Sequence, residues 1–193
     1  IGNRVWGNPP WVQIPPPPLM MVGPRPSGDQ SVDSDEAAMR LALEEARKAL
    51  DHGDVPVGAI AVAAGRVIAS RHNERERLQD PTAHAELLVL GDVARAIGNW
   101  RLEGVTLVVT LEPCPMCAGG LIAGRVDRLV YGAHDLRGGA CGSLYNLCAD
   151  PRLNHEVAVR GGVLAEECSE LLSSFFAQRR NHPDPSGQRH QGQ

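Results

Sequence analysis

Apolar residues fall three and four apart between positions 35 and 50, where Met39, Leu43, Ala46 and Leu50 share one face. That spacing predicts a first helix, with Asp33 and Glu36 read as its capping box, Asp standing in for Ser or Thr. The period then changes. Residues 57–64 and 67–70 are runs of β-branched and small apolar residues flanking Gly65-Arg66, the layout of a hairpin. Thr82 stands where a cap is expected for a second helix over 83–97, and Gly98 lies just past its end. A buried strand is predicted at Val105–Leu111, stopped by Pro113. There follow a helix over 114–123, a strand at 128–131, a short helix near 143–147 and a strand at 156–160. An amphipathic helix over 165–180, carrying Leu171, Leu172, Phe175 and Phe176, closes the series.

Helices and strands that alternate in this way imply a mixed sheet covered on both faces, an α/β domain whose strand order is left open by chain order. The ends of the chain lack this periodicity. Residues 1–32 are proline-rich, including Pro15-Pro16-Pro17-Pro18, and residues 181–193 are polar and broken by Pro183, Pro185 and Gly187. Such segments bury too little surface to offset their ordering entropy. The expected organisation is therefore a disordered arm over 1–32, one domain over 33–180 and a disordered tail over 181–193.

Composition narrows the function classes. The chain has 193 residues, 42% hydrophobic and 22% charged, ordinary proportions for a soluble globular protein. No apolar run approaches the roughly 20 residues of a membrane span, and Leu19-Met20-Met21-Val22 is too short for a secretory signal. A cytoplasmic protein without a membrane partner is expected. Five cysteines, two of them in a Cys-x-x-Cys behind a proline, point to metal chemistry and free thiols rather than a disulfide framework. A net charge of −4 argues against a broad basic face, so no DNA partner is expected. A local basic patch would have to come from arginines such as Arg125, Arg128, Arg137, Arg179 and Arg180.

The chemistry lies in two stretches. His84-Ala85-Glu86 and Pro113-Cys114-Pro115-Met116-Cys117 supply an imidazole, two thiolates and a carboxylate. Three protein ligands leave a tetrahedral zinc with its fourth position open to a catalytic water, which separates a catalytic site from a closed structural one. Glu86 is then the proton carrier. Both stretches fall at predicted helix starts. Inside a helix His84 and Glu86 would point about 200° apart, whereas at a first turn they can converge on a site beyond the helix end. Cys114 and Cys117 share one face of such a turn, and the positive dipole end there favours thiolates. Two other arrangements compete. A redox pair prefers a thioredoxin-like context, and a structural zinc knuckle needs a fourth ligand from Cys141, Cys148 or Cys168, none of which forms a second Cys-x-x-Cys.

The two stretches match the zinc nucleobase deaminase signature. The surrounding words are Val55-Pro56-Val57-Gly58-Ala59, Asn73, Asp80-Pro81-Thr82-Ala83 before His84, and Val109-Thr110-Leu111-Glu112 before Pro113. With Tyr131-Gly132-Ala133, Asp135, Gly142-Ser143-Leu144, Phe175-Phe176 and Arg179-Arg180, they resemble the bacterial tRNA-specific adenosine deaminases of the cytidine deaminase superfamily. The resemblance spans about 35–180. It implies a cytidine deaminase-like three-layer α/β/α fold with a five-stranded mixed sheet. It further implies a homodimer that converts the wobble adenosine of a tRNA anticodon stem-loop to inosine, with one Zn2+ per subunit. By the same resemblance His84, Cys114 and Cys117 bind zinc, Glu86 shuttles the proton and Asn73 hydrogen-bonds the flipped nucleoside. Asp135 meets the ribose region, and Val57, Leu111 and Ala133 wall the base pocket. Arg137, Arg179 and Arg180 are the candidates for the RNA backbone.

Guanine deaminases share the Asp-Pro-Thr-Ala-His-Ala-Glu stretch and the Pro-Cys-Pro-Met-Cys form, so a free-base deaminase is the nearest alternative. A non-catalytic zinc subunit is the alternative of another class, and the presence of Glu86 argues against it. Two positions depart from the family pattern. Cys141 stands where a small non-thiol residue is usual, and Asn73 is followed by a charged stretch, Glu74-Arg75-Glu76-Arg77.

Overall fold

A computed structural model describes residues 31–181. The expected arm over 1–32 and tail over 181–193 lie outside those residues, apart from their innermost positions. Helix α1 (Asp35–Lys48) starts at Ser34, whose hydroxyl accepts the Ala37 N–H at 3.1 Å. Ser34 is thus the cap expected at Asp33, one residue on. Asp35 and Glu36 in the first turn and Arg47 and Lys48 in the last complement the helix dipole. A 3₁₀ turn over Ala49–His52 follows.

The hairpin is present as β1 (Gly58–Ala63) and β2 (Arg66–His72), with a bulge between Ala61 and Val62. Next come α2 (Arg75–Leu78), a single turn that periodicity did not predict, and α3 (Ala85–Ile97), which Gly98 ends as expected. Thr82 is not its cap. Its hydroxyl donates to Asp80 Oδ1 at 2.7 Å, and the N-cap position belongs to His84. The remaining elements are β3 (Val105–Leu111), α4 (Pro115–Ala123), β4 (Arg128–Ala133), a 3₁₀ turn over Leu147–Ala149, β5 (Ala158–Arg160) and α5 (Ala165–Asn181).

The five strands form one sheet in the order β2-β1-β3-β4-β5. β1 is antiparallel to β2 and β3, while β3, β4 and β5 run parallel. Strand alternation divides the core in two. Ala59, Ala61, Leu107, Val109, Leu129 and Tyr131 face α3 and α4, where they meet Val89, Val93 and Leu121. The intervening Ile60, Val108 and Val130 face α1 and α5, against Met39, Leu43 and Cys168. The result is the expected three-layer α/β/α fold with a five-stranded mixed sheet. Fully buried leucines such as Leu107, Leu121 and Leu129 each contribute about 1.5–3 kcal/mol relative to exposure. Helix α1 approaches β1 so closely that a Cβ on Gly58 would stand 2.2 Å from the Ala42 carbonyl oxygen and 2.4 Å from Ala46 N, which only glycine allows. Among the described residues, no helix is long and apolar enough to cross a membrane.

In an open sheet with parallel strands, ligands bind beyond the carboxyl ends of those strands. Leu111 and Glu112 lie at that end of β3, with His134 and Asp135 beyond β4. A hollow of about 190 Å³ by Thr106 and Arg128, at the opposite strand ends, is lined by none of the His, Cys and Glu residues of the two motifs.

Candidate active site

His84 is the N-cap of α3 and Cys114 the N-cap of α4. Both are extended, at φ −73°, ψ 146° and φ −71°, ψ 172°, and neither side chain caps its own helix. Each is therefore free to turn across the gap between the two helix starts. Pro115 at the first helical position of α4 has its φ pre-set for the helix and no amide to satisfy. His84 Nδ1 lies 3.5 Å from Cys117 Sγ and 3.8 Å from Cys114 Sγ, and the three donor atoms lie within 4.8 Å of one another.

This donor set suits a zinc-class ion, being two soft sulfurs and one imidazole at helix N-termini. Glu86, in the first turn of α3, is 4% exposed, and its Oε2 is a buried oxygen with no hydrogen-bond partner among the described residues. An orphaned carboxylate oxygen beside three metal donors is the arrangement a bound water and ion would complete. Burial drives the Glu86 carboxyl upward from its ordinary range. The Cys117 thiol hydrogen-bonds to Cys114, which brings Cys114 down to about 4 and pushes Cys117 up. The same sulfur, accepting from the imidazole, raises His84. Metal binding requires both thiols as thiolates, so an ion there releases their protons.

Among the described residues no third sulfur joins the trio. Cys141 and Cys148 face each other with Sγ atoms 3.6 Å apart, and Cys168 is buried with α1 and β4. All five cysteines are free of disulfides.

A cavity of about 160 Å³ opens over these groups, lined by Val55, Val57, Asn73, Arg75, His84, Ala85, Glu86, Leu111, Glu112, Cys114 and Asp135. The expected residues Asn73, Asp135, Val57 and Leu111 are all in that wall. Ala133 is not. It is packed in the layer beneath α1 and α5, although strict alternation would send it the same way as Leu129 and Tyr131, and its carbonyl accepts the Glu112 N–H at 2.9 Å. Asn73 follows directly on β2 and is held by its Nδ2, which donates to the Val55 carbonyl at 3.3 Å and to Asp54 Oδ1 at 3.5 Å.

Glu112 is the residue that motif reading passed over. Only 2% exposed, it accepts the Ser143 and Cys141 amides on Oε1 at 2.9 and 3.1 Å, the Asp135 amide on Oε2 at 3.1 Å, and the Ser143 hydroxyl. Burial raises its carboxyl, but the Ser143 hydroxyl and these amides outweigh it and hold the group below the usual range. Glu112 thereby ties residues 135–143 to the strand end just before Pro113. Gly139 packs on the carboxylate so tightly that a Cβ would stand 2.4 Å from Glu112 Cδ.

A family model of MafB19-like deaminases matches residues 33–180. The tRNA-specific adenosine deaminase of Bacillus subtilis (strain 168) is 51% identical over 146 residues, covering 76% of this chain and 91% of that relative. The chain belongs to the tRNA-specific adenosine deaminase family. A solved tRNA:A34 deaminase, from work on A-to-I editing at the wobble position of transfer RNA, superposes with a TM-score of 0.68. It is 44% identical over 70% of this chain and 98% of its own. A guanine deaminase from Bacillus subtilis also superposes, with a TM-score of 0.52 and 27% identity over 76% of this chain and 94% of that one.

The arginines of this deaminase are dispersed. Arg137 is exposed two residues beyond Asp135, its N–H bonded to the Asp135 carboxylate at 2.9 Å. Arg179 donates to the Gly53 carbonyl at 2.6 Å and stacks on Phe175, and Arg180 is exposed beside it on α5. Neither of these two lines the cavity. Arg125 and Arg128 are engaged with Asn154 and Asp35. Arg75, which the charged stretch after Asn73 had only flagged, is the cation in the cavity wall.

Proposed function

We propose that this protein hydrolytically deaminates adenosine to inosine at the wobble position of a tRNA anticodon loop, using one Zn2+ held by His84, Cys114 and Cys117. The observation that carries this reading is the unpartnered Glu86 oxygen beside three convergent metal donors in a cavity at the strand ends. Zinc held there supplies a Lewis acid that makes water ionise near neutral pH. Glu86 accepts a proton from water, delivers it to N1 of adenine as C6 becomes tetrahedral, then takes the proton left on the added oxygen and passes it to the amino group, which departs as ammonia. Water and adenosine thus give inosine and ammonia. Asn73 orients the base from the cavity wall, and Val57 and Leu111 exclude water around it. An unpaired loop base suits so enclosed a site, because flipping it costs less than extraction from a duplex.

Arg75 and Arg137 are the cations placed to meet the flanking phosphates, with Arg179 and Arg180 further out. We assign the active form as a cytoplasmic homodimer, for which light scattering should give twice the 20.7 kDa chain mass. Substrate choice is tested by incubating the zinc-loaded protein with an adenosine-containing anticodon stem-loop, guanine and cytidine. Inosine in the stem-loop is expected. Turnover of guanine alone would overturn the tRNA assignment in favour of free-base deamination.

A further inference from the structure

Two histidines outside the active site face one another. His52, at the end of the turn after α1, and His72, the last residue of β2, have Nε2 atoms 3.1 Å apart. Each ring is held from behind by a buried carboxylate, with His72 Nδ1 2.8 Å from Glu45 Oε1 and His52 Nδ1 2.9 Å from Asp54 Oδ2. A carboxylate accepting from Nδ1–H leaves the lone pair of a neutral imidazole on Nε2. Two such lone pairs pointing at each other repel unless something positive sits between them. Glu74, 4% exposed, brings its Oε1 within 3.6 Å of His72 Nε2, and one donor atom from each of the three side chains fits within 4.8 Å of the others.

We propose that His52, His72 and Glu74 form a second divalent-metal site, of nitrogen and oxygen donors and suited to zinc, cobalt or nickel. A tetrahedral ion with bonds of about 2.0–2.1 Å holds its ligands about 3.3 Å apart, between the 3.1 and 3.6 Å found here. A carboxylate behind each imidazole is the support that metal-ligating histidines require. The neighbouring cations are already assigned. Lys48 pairs with Glu45 at 2.6 Å, Arg77 with Glu74 Oε1 at 2.7 Å, and Arg71 approaches Glu74 Oε2 at 3.6 Å. Metal on Glu74 must therefore share or release the Arg77 bond.

The site connects to the cavity wall. Asp54, behind His52, also accepts from Asn73 Nδ2 and from the Glu76 and Arg77 amides at 2.8 and 3.0 Å. An ion at His52, His72 and Glu74 clamps the segment that places Asn73 and Arg75 in the cavity wall. Its role is positioning, separate from the thiolate-bound ion of the proposed reaction.

The test is a Co2+ titration of the purified full-length protein, with bound metal counted by elemental analysis after dialysis. Two equivalents per chain are expected. The first brings the sulfur-to-cobalt charge-transfer absorption of Cys114 and Cys117, and the second adds only ligand-field bands. His52→Gln and His72→Gln should each lose the second equivalent while keeping the first, whose thiolate spectrum also reports that the variant has folded. A single equivalent in the unaltered protein, as expected if the two rings share a proton instead, would overturn the proposal. So would a second equivalent that survives both variants. The deaminase reading fails separately, on the thiolate-bound equivalent or on inosine formation.

Discussion

Two buried glutamates divide the work of the active site, and their surroundings explain the division. Glu86 has a free oxygen and an environment that raises its proton affinity, as a proton carrier requires. Glu112 has its oxygens filled by amides and a hydroxyl and remains a carboxylate. Glu86→Gln should keep the metal bound, since none of the three donors changes, and lose inosine formation by about 10²–10⁴-fold. Retained activity in single-turnover assays would remove Glu86 from the mechanism. Glu112→Gln should act differently. An amide NH2 replacing one acceptor oxygen leaves a backbone N–H unpaired, costing about 1–3 kcal/mol of stability, and it frees the segment carrying Asp135. KM for the stem-loop should rise more than kcat falls, and steady-state kinetics with thermal melts separates the two effects.

Among elements, the ends of helices were more legible than their partners. The ligand spacing in His84-Ala85-Glu86 and Cys114-Pro115-Met116-Cys117 already required two helix starts, because His84 and Glu86 converge only there, and α3 and α4 begin at those points. The role of Glu112 was not legible, since it depends on residues 135–143 folding back on β3. The meeting of His52 with His72 was hidden for a similar reason. It is set by pairing of Gly58 with His72 in the hairpin register and by the turn that follows α1, and neither histidine carries a motif. Ala133 was not legible either, because alternation groups it with Leu129 and Tyr131, yet this last residue of β4 packs in the opposite layer with Val130. The join between α1 and the far strands rests on Asp35, which takes a bidentate pair from Arg128 at 2.7 and 2.8 Å and a further bond from Arg160. The Arg128 hydrogen bond leads in lowering the Asp35 carboxyl below its usual value. Its folded pKa therefore lies under the unfolded one, so its stabilisation is complete above the unfolded value, about 3.9, and fades as pH falls through the folded value. Asp35→Asn should cost about 1 kcal/mol at pH 7, discounted for the half-exposed arginines. Denaturation curves of the two proteins should converge below the folded pKa; a gap that persists there would assign the effect to packing instead.

At the scale of the molecule, the sheet and the site depend on each other unequally. Its two apolar layers, on opposite faces of the five strands, are built from residues such as Ile60, Val108, Leu107 and Leu129 that touch no metal donor. Removing metal from the His84, Cys114 and Cys117 site should therefore leave the fold standing, unlike a small zinc module whose core is the ion itself. It should still weaken it. An ion present at about 100 times its dissociation constant stabilises by about 2.7 kcal/mol, and in a domain of this size each kcal/mol moves Tm by about 2–4 °C. A strong chelator should thus lower Tm by about 5–10 °C, abolish inosine formation and leave the far-UV circular dichroism of helices and strands unchanged at 25 °C. Re-addition of zinc should restore both Tm and activity. Collapse of the secondary structure on chelation would mean that the two helix starts hold the layers together, and that the metal is structural as well as catalytic.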